Sequence, residues 1–170
     1  CLMDIDEEGT IVNHEICETV IRVDRRMTYT MVADILDGAE APEEYKDFVD
    51  DFKLMKQLSD LLRKKRSGRG AIDFDFPESK IILDEKGRPI EIKAYEHSDA
   101  TRLIEDFMLL TNETIAEEYY WLELPFVYRI HETPDEEKLR TFATFLNNFG
   151  YSLHLTNHTI HPKELQKLLS

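Results

Sequence analysis

Residues 69–116 read RGAIDFDFPESKIILDEKGRPIEIKAYEHSDATRLIEDFMLLTNETIA, and changes of periodicity within this stretch decide the fold class. Ala71 to Pro77 alternates apolar and acidic side chains with a period of two, the pattern of a half-buried strand. Ser79 to Tyr95 holds two alternating apolar runs around Asp84-Glu85-Lys86-Gly87, which predicts a hairpin, with Pro89 near the turn where no ladder bond is lost. From Ser98 the apolar spacing becomes three and four, so Ser98 and Asp99 are expected to cap a helix reaching about Trp121. Glu105 and Asn112 interrupt its apolar run. They lie on the same side of the helix with Met108 and Leu109 between them, and polar groups on an apolar wall require partners.

Outward from this stretch, the N-terminal side begins with a second hairpin, whose turn is expected on Glu7-Glu8-Gly9 and whose second strand, TIVNHEICETVIRV, is expected to be long. Thr28 is the predicted cap of a short helix with Met31, Val32, Ile35 and Leu36 on its apolar face and Gly38 as its stop. Pro42 opens a longer helix in which Tyr45, Phe48, Val49, Phe52, Met55, Leu58 and Leu62 recur at helical spacing as far as about Arg66, before Ser67-Gly68-Arg69-Gly70 breaks it. On the C-terminal side, FVYRIHE reads as a short strand. Thr133-Pro134-Asp135-Glu136 reads as a helix start with Thr133 as cap, for a helix running to Gly150. PKELQKLLS closes the chain as a short helix. Strand pairs separated by helices without a βαβ rhythm give an α+β fold: a mainly antiparallel sheet of hairpins packed with about five helices.

At 170 residues and 42% hydrophobic, the chain suits one domain burying roughly 70% of its extended surface. Thirty-five acidic against 21 basic residues, a formal charge of −14, oppose a general phosphate-binding surface, so any nucleic-acid contact must be local. The one dense basic cluster is Arg63, Lys64, Lys65, Arg66 and Arg69. It is the best phosphate candidate, although cations at a helix C-terminus also complement the macrodipole. Cys1 and Cys17 support neither a disulfide partner nor a zinc site, which fits a reducing, cytoplasmic setting. No stretch has the length and apolarity of a membrane span, and no signal peptide is seen. His97, His131, His154, His158 and His161 show no metal spacing and read as surface or turn residues.

Six stretches in order, MDIDEEGTIVNHEI, RRMTYTMV, RGAIDFDFPE, DATRLIEDFMLLTNETIAE, PFVYRIHETPDEEKL and HPKELQKLL, resemble the catalytic (RNB) domain of the ribonuclease II and ribonuclease R exoribonucleases. The resemblance implies that residues 1–170 are the middle of such a domain, without its upstream Asp cluster and its downstream Arg motif. It implies a longer enzyme that hydrolyses single-stranded RNA processively from the 3′ end, with Mg²⁺ held by the Asp cluster; hard oxygen ligands suit that ion. No Mg²⁺ is expected on this chain alone, which is expected to be inactive.

By the same resemblance Phe74 stacks on a base, while Tyr29 and Glu105 meet the ribose. A carboxylate accepting from a 2′-hydroxyl separates RNA from DNA. Asn112 joins them on the RNA-facing wall, and Arg66 and Arg69 serve the phosphates. Each has an ordinary reading beside it. Phe74 shares a strand face with Ile72 and Phe76 as a core residue would, Tyr29 suits a partly buried phenol, Glu105 suits an ion pair with Arg102, and Asn112 suits a local backbone bond. A stand-alone, non-catalytic RNA- or protein-binding domain of the same fold is the alternative, and an acidic interaction module without a nucleic-acid role is a third reading.

Overall fold

The computed structural model describes residues 1–72, 78–95, 97–153 and 160–168. The chain divides into two compact units, one of Cys1–Leu61 with Phe74–Ile115 and one of Leu62–Asp73 with Ala116–Ser170. Five α-helices and two two-stranded antiparallel sheets make the fold α+β among the described residues.

In the first unit β1 (Leu2–Ile5) pairs with β2 (Ile11–Glu15), and β3 (Glu78–Leu83) pairs with β4 (Pro89–Tyr95). The two hairpins use the same turn chemistry. Asp6 Oδ1 accepts from the backbone N–H of Glu8 at 3.1 Å and of Thr10 at 2.7 Å, with Gly9 at φ +71°. Asp84 Oδ1 accepts from Lys86 and Arg88 at 2.8 Å each, with Gly87 at φ +76°. An Asp followed three residues later by Gly thus builds both turns, the carboxylate holding the loop and the glycine taking the left-handed position. In the first hairpin the organising side chain is Asp6, ahead of the acidic pair on which the turn was expected.

The expected long second strand ends at Glu15. Beyond it Val20, Ile21 and Val23 are exposed, Val20 fully so. Strand propensity becomes a strand only where a ladder partner exists, and β1 offers four residues. The expected strand at Ala71–Pro77 falls largely on residues outside those described.

α1 (Tyr29–Leu36) starts as expected at Thr28, whose Oγ1 accepts from Met31 N at 3.4 Å, and stops at Gly38, φ +97°. A 3₁₀ turn over Glu43–Phe48 leads into α2 (Val49–Arg69), and α3 spans Asp99–Trp121. Ser98 and Thr101 cap α3 reciprocally: Ser98 N donates to Thr101 Oγ1 at 3.0 Å and Thr101 N donates to Ser98 Oγ at 3.3 Å. Val32, Ile35, Tyr45, Phe52 and Ala100 form the core, bringing α1, the start of α2 and the start of α3 together. The core is small for an ordinary domain, and Ile81, Leu83, Ile90 and Ile92 of the second hairpin stay exposed. Two polar ties add to the α2–α3 contact. Ser59 Oγ donates to Asp106 Oδ2 at 2.7 Å, and Lys56 Nζ lies 2.7 Å from Asp60 and 3.3 Å from Asp99.

In the second unit, the last turns of α2 and α3 belong with α4 (Glu136–Asn147) and α5 (Pro162–Gln166). FVYRIHE is not a strand; Phe126, Tyr128 and Ile130 recur at strand spacing but have no ladder beside them among the described residues. The cap of α4 is Asp135, accepting from Lys138 N at 2.9 Å, two residues after the expected Thr133, because the Asp135 carboxylate itself reaches the first-turn amide. Tyr119 and Phe126 stack at 4.6 Å between ring centroids as the chain leaves α3, where Glu123 takes φ +53°.

The hydrogen bond to Asp60 is the main cause holding the Lys56 ammonium above its ordinary 10.5, with Asp99 adding to it and burial opposing it. A raised folded-state pKa contributes stability that is complete below the unfolded value and lost as pH rises through the folded one. The melting temperature of the chain is therefore expected to fall more steeply above pH 10.5 than that of Lys56→Met, and parallel curves in thermal scans across that range would contradict the assignment.

Candidate nucleic-acid interface

α3 has two dissimilar faces. Ala100, Leu103, Asp106 and Thr114 are buried, whereas Ile104 and Met108 are 46% and 52% exposed and Glu105 and Asn112 are exposed beside them. At about 100° per residue, Glu105 and Asn112 point within about 20° of one another and opposite the centre of the buried face. They do share one side of the helix, as the sequence implies. That side is open to solvent, however, and is not an internal wall. The polar groups that α3 buries are Asp106 and Thr114, the latter bonding to Leu110 O at 2.8 Å and reaching Met3 Sδ at 3.6 Å. Leu103, Leu110 and Thr114 share one helical stripe with Asp106, but Met108 and Leu109 flank Glu105 at the same spacing, so periodicity alone does not choose between the two carboxylates.

Tyr29 is the first residue of α1 and is 52% exposed. Two neighbours hold its backbone in place. Met27, just before the cap, packs on the core that Val32 enters one turn later, which is the arrangement of a hydrophobic staple. Thr28 fixes the start of the helix, and Arg25, in the basic pair ahead of it, bridges to Glu44 at 3.2 Å. Among the described residues, no hydrogen bond or ion pair engages the side chains of Tyr29, Glu105 or Asn112. The ordinary readings of Glu105 as the partner of Arg102, and of Asn112 as a local backbone cap, therefore find no support.

The basic cluster occupies the last two turns of α2, in the second unit. Arg66 is half-buried and Arg69 exposed. Arg63, Lys65, Arg66 and Arg69 each already take part in a non-covalent interaction, so the cluster also serves the fold. The helix does not break at Ser67. Ser67, Gly68 and Arg69 complete its last turn, and Gly70 ends it at φ +99° with Gly70 N donating to Ser67 O at 2.9 Å and Ala71 N to Arg66 O at 3.1 Å. α5 closes over this end. Gln166 Nε2 donates to Ser67 O and Ala71 O at 3.1 Å each, satisfying carbonyls that a helix end leaves open. His161, expected as a surface or turn residue, caps α5, its Nδ1 accepting from Lys163 N at 3.2 Å. Phe74, His154 and His158 lie outside the described residues. Among those described, no three His, Cys, Asp or Glu side chains gather so as to hold a metal ion.

The RNB domain family model matches residues 1–170. The chain is 42% identical over 170 residues to Ribonuclease R 1 of Lactococcus lactis, covering 99% of this chain and 21% of that protein. It is 39% identical over 168 residues to Ribonuclease R of Thermotoga maritima, covering 98% of this chain and 24% of that one. Among solved structures, Mycoplasma genitalium RNase R in complex with ribose methylated single-stranded RNA matches at TM-score 0.88 and 25% identity, over 98% of this chain and 26% of that chain. The same enzyme in complex with double-stranded RNA matches at TM-score 0.89 and 25% identity, over 98% of this chain and 30% of that one. The chain thus spans about a quarter of the length of the curated relatives it matches.

Two glycines two residues apart at the end of α2 are expected to respond oppositely to alanine. A Cβ on Gly70 would sit 2.9 Å from Lys163 N in a left-handed conformation, so Gly70→Ala is expected to cost about 2–3 kcal/mol. Gly68 is helical with open space around it, and Gly68→Ala is expected to stabilise by about 0.5–1 kcal/mol. Denaturant titration of both variants checks the pair; a shared sign would contradict the Gly70 terminus.

Proposed function

Because the chain belongs to the RNB domain family, we propose that it is the central part of the catalytic domain of a longer 3′-to-5′ exoribonuclease, and that it lines the channel through which the 3′ end of single-stranded RNA is drawn. The observation that carries this reading is the outward face of α3, where Glu105 and Asn112 are exposed and engaged by no described protein group. A surface carboxylate and amide aligned along one helix, with Met108 between them, suit a ligand that offers hydroxyl donors and flat apolar rings. Relatives whose structures hold single-stranded and double-stranded RNA support RNA as that ligand.

In this reading the Glu105 carboxylate accepts a hydrogen bond from a ribose 2′-hydroxyl, a donor that deoxyribose lacks. The Tyr29 phenol, on the exposed start of α1, meets the nucleotide near the bond to be cut. Asn112 contacts the strand further along α3. Arg66 and Arg69 neutralise backbone phosphates locally, which an otherwise acidic chain requires. Phe74 stacks on a base, a contact that contributes about 1–3 kcal/mol per base and tolerates any sequence.

Mg²⁺ in the whole enzyme would activate water and support the leaving oxygen. The resemblance to the RNB domain assigns the ligands of that ion to parts of the enzyme outside this chain; among the described residues no three His, Cys, Asp or Glu side chains gather to hold a metal ion. The chain alone is inactive in this reading. We assign the enzyme to the cytoplasm; among the described residues no helix is long and apolar enough to cross a membrane.

In the full-length enzyme, Glu105→Ala is expected to leave folding stability within about 0.5 kcal/mol, as for other exposed positions. It should lower the ratio of kcat/KM for RNA over matched DNA about tenfold or more, since one hydrogen bond to a charged acceptor is lost. Equal losses on RNA and DNA would remove Glu105 from the ribose. The isolated chain, incubated with single-stranded RNA and Mg²⁺, should release no nucleotides; release that a chelator abolishes would place a metal site within it. Binding of RNA by the isolated chain with no trace of activity in the full-length protein would favour the non-catalytic binding domain instead.

A further inference from the structure

Asp106 and Ser59 are each only 3% exposed, and Ser59 Oγ donates to Asp106 Oδ2 at 2.7 Å across the α2–α3 contact. Neither residue belongs to the RNA-facing set. The apolar groups that bring these helices together, Phe52 and Ala100, favour closeness of the two helices but would accept several rotations of α3. A buried polar pair behaves otherwise. A turn of α3 by one residue, about 100°, would carry Asp106 away from Ser59 and forfeit the bond in a site shielded from solvent. The Lys56–Asp99 pair at 3.3 Å also joins α2 to α3, but the Lys56 side chain is 29% exposed, so water screens that pair and leaves it a weak guide to rotation. The rotation matters because Glu105 and Asn112 stand diametrically opposite the face that Asp106 anchors.

We infer that Asp106, held by Ser59, is a positioning residue for sugar discrimination: the buried pair fixes the rotation of α3 that presents Glu105 to the ribose. This rests on the reading of Glu105 given above. A buried polar pair that is less stable than an apolar replacement but restricts the packing to one arrangement would account for a carboxylate on the buried stripe of α3.

The test uses the full-length enzyme with four variants: Glu105→Ala, Asp106→Asn, Ser59→Ala, and the apolar double variant Ser59→Ala with Asp106→Leu. Kinetics on RNA and on matched DNA are measured together with melting temperature. Asp106→Asn keeps an oxygen that accepts from Ser59, and its RNA-to-DNA ratio of kcat/KM is expected to stay within about twofold of the parent. The apolar double variant is expected to fold with a melting temperature within a few degrees of the parent, yet to lose about tenfold or more of the ratio, the scale on which small misplacements act. Ser59→Ala, which retains Asp106, is expected to fall between them and reports the effect if the double variant does not fold. A folded double variant with the parent's ratio overturns the inference, as does an Asp106→Asn ratio as low as that of the double variant. If Glu105→Ala leaves the ratio unchanged, the assignment of Glu105 to the ribose falls and this inference with it. If Glu105→Ala lowers the ratio and the double variant does not, only the positioning role falls.

Discussion

The contact between α2 and α3 in the first unit joins three kinds of interaction, and the arrangement of the candidate interface follows from it. Phe52 and Ala100 exclude water, Ser59 and Asp106 exchange a buried hydrogen bond, and Lys56 bridges at the rim to Asp99 in the first turn of α3. Each alone would tolerate an alternative: apolar packing tolerates rotation, and a rim ion pair tolerates solvent exchange. The directional bond between two groups shielded from water does not. With it satisfied, one side of α3 is committed to the protein. The opposite side, carrying Glu105 and Asn112, is released to solvent.

A second constraint is the shortage of ladder partners. Among the described residues each sheet has two strands, and a two-stranded hairpin is marginal on its own. Carboxylates and glycines in the turns, Asp6 with Gly9 and Asp84 with Gly87, therefore fix the local geometry of both hairpins. Where no partner strand lies alongside, β-branched runs remain irregular, as at Val20-Ile21 and again at Val127 and Ile130. The apolar side chains left exposed on the second hairpin and after α3 show that hydrophobic content by itself does not make a core. Burial needs a facing surface.

The one dense basic cluster of this acidic chain is gathered at one helix end, where the backbone can hold it. Arg63 to Arg69 follow the helix to its last turn, where their charge complements the open carbonyls, and Gly70 and Gln166 fix the end itself. Cations that serve the helix terminus need not be lost to a phosphate, since the two roles use the same sign of field.

Much of this protein was legible in its sequence, because the deciding forces are local. The order and type of the helices, the Thr28 and Ser98 caps, both hairpins and the glycine stops follow from spacing and from the chemistry of single turns. So does the family, through six ordered motifs. Tyr29, Glu105 and Asn112 were also legible as polar residues on defined helix positions. The strand expected beyond Glu15 and the one at FVYRIHE were not decided by sequence, since a strand exists only with a partner that the sequence does not locate. Nor was the choice between Glu105 and Asp106. Adjacent carboxylates on one helix look alike in sequence, and only the position of Ser59, on a different helix, determines which one is buried and which one faces outward.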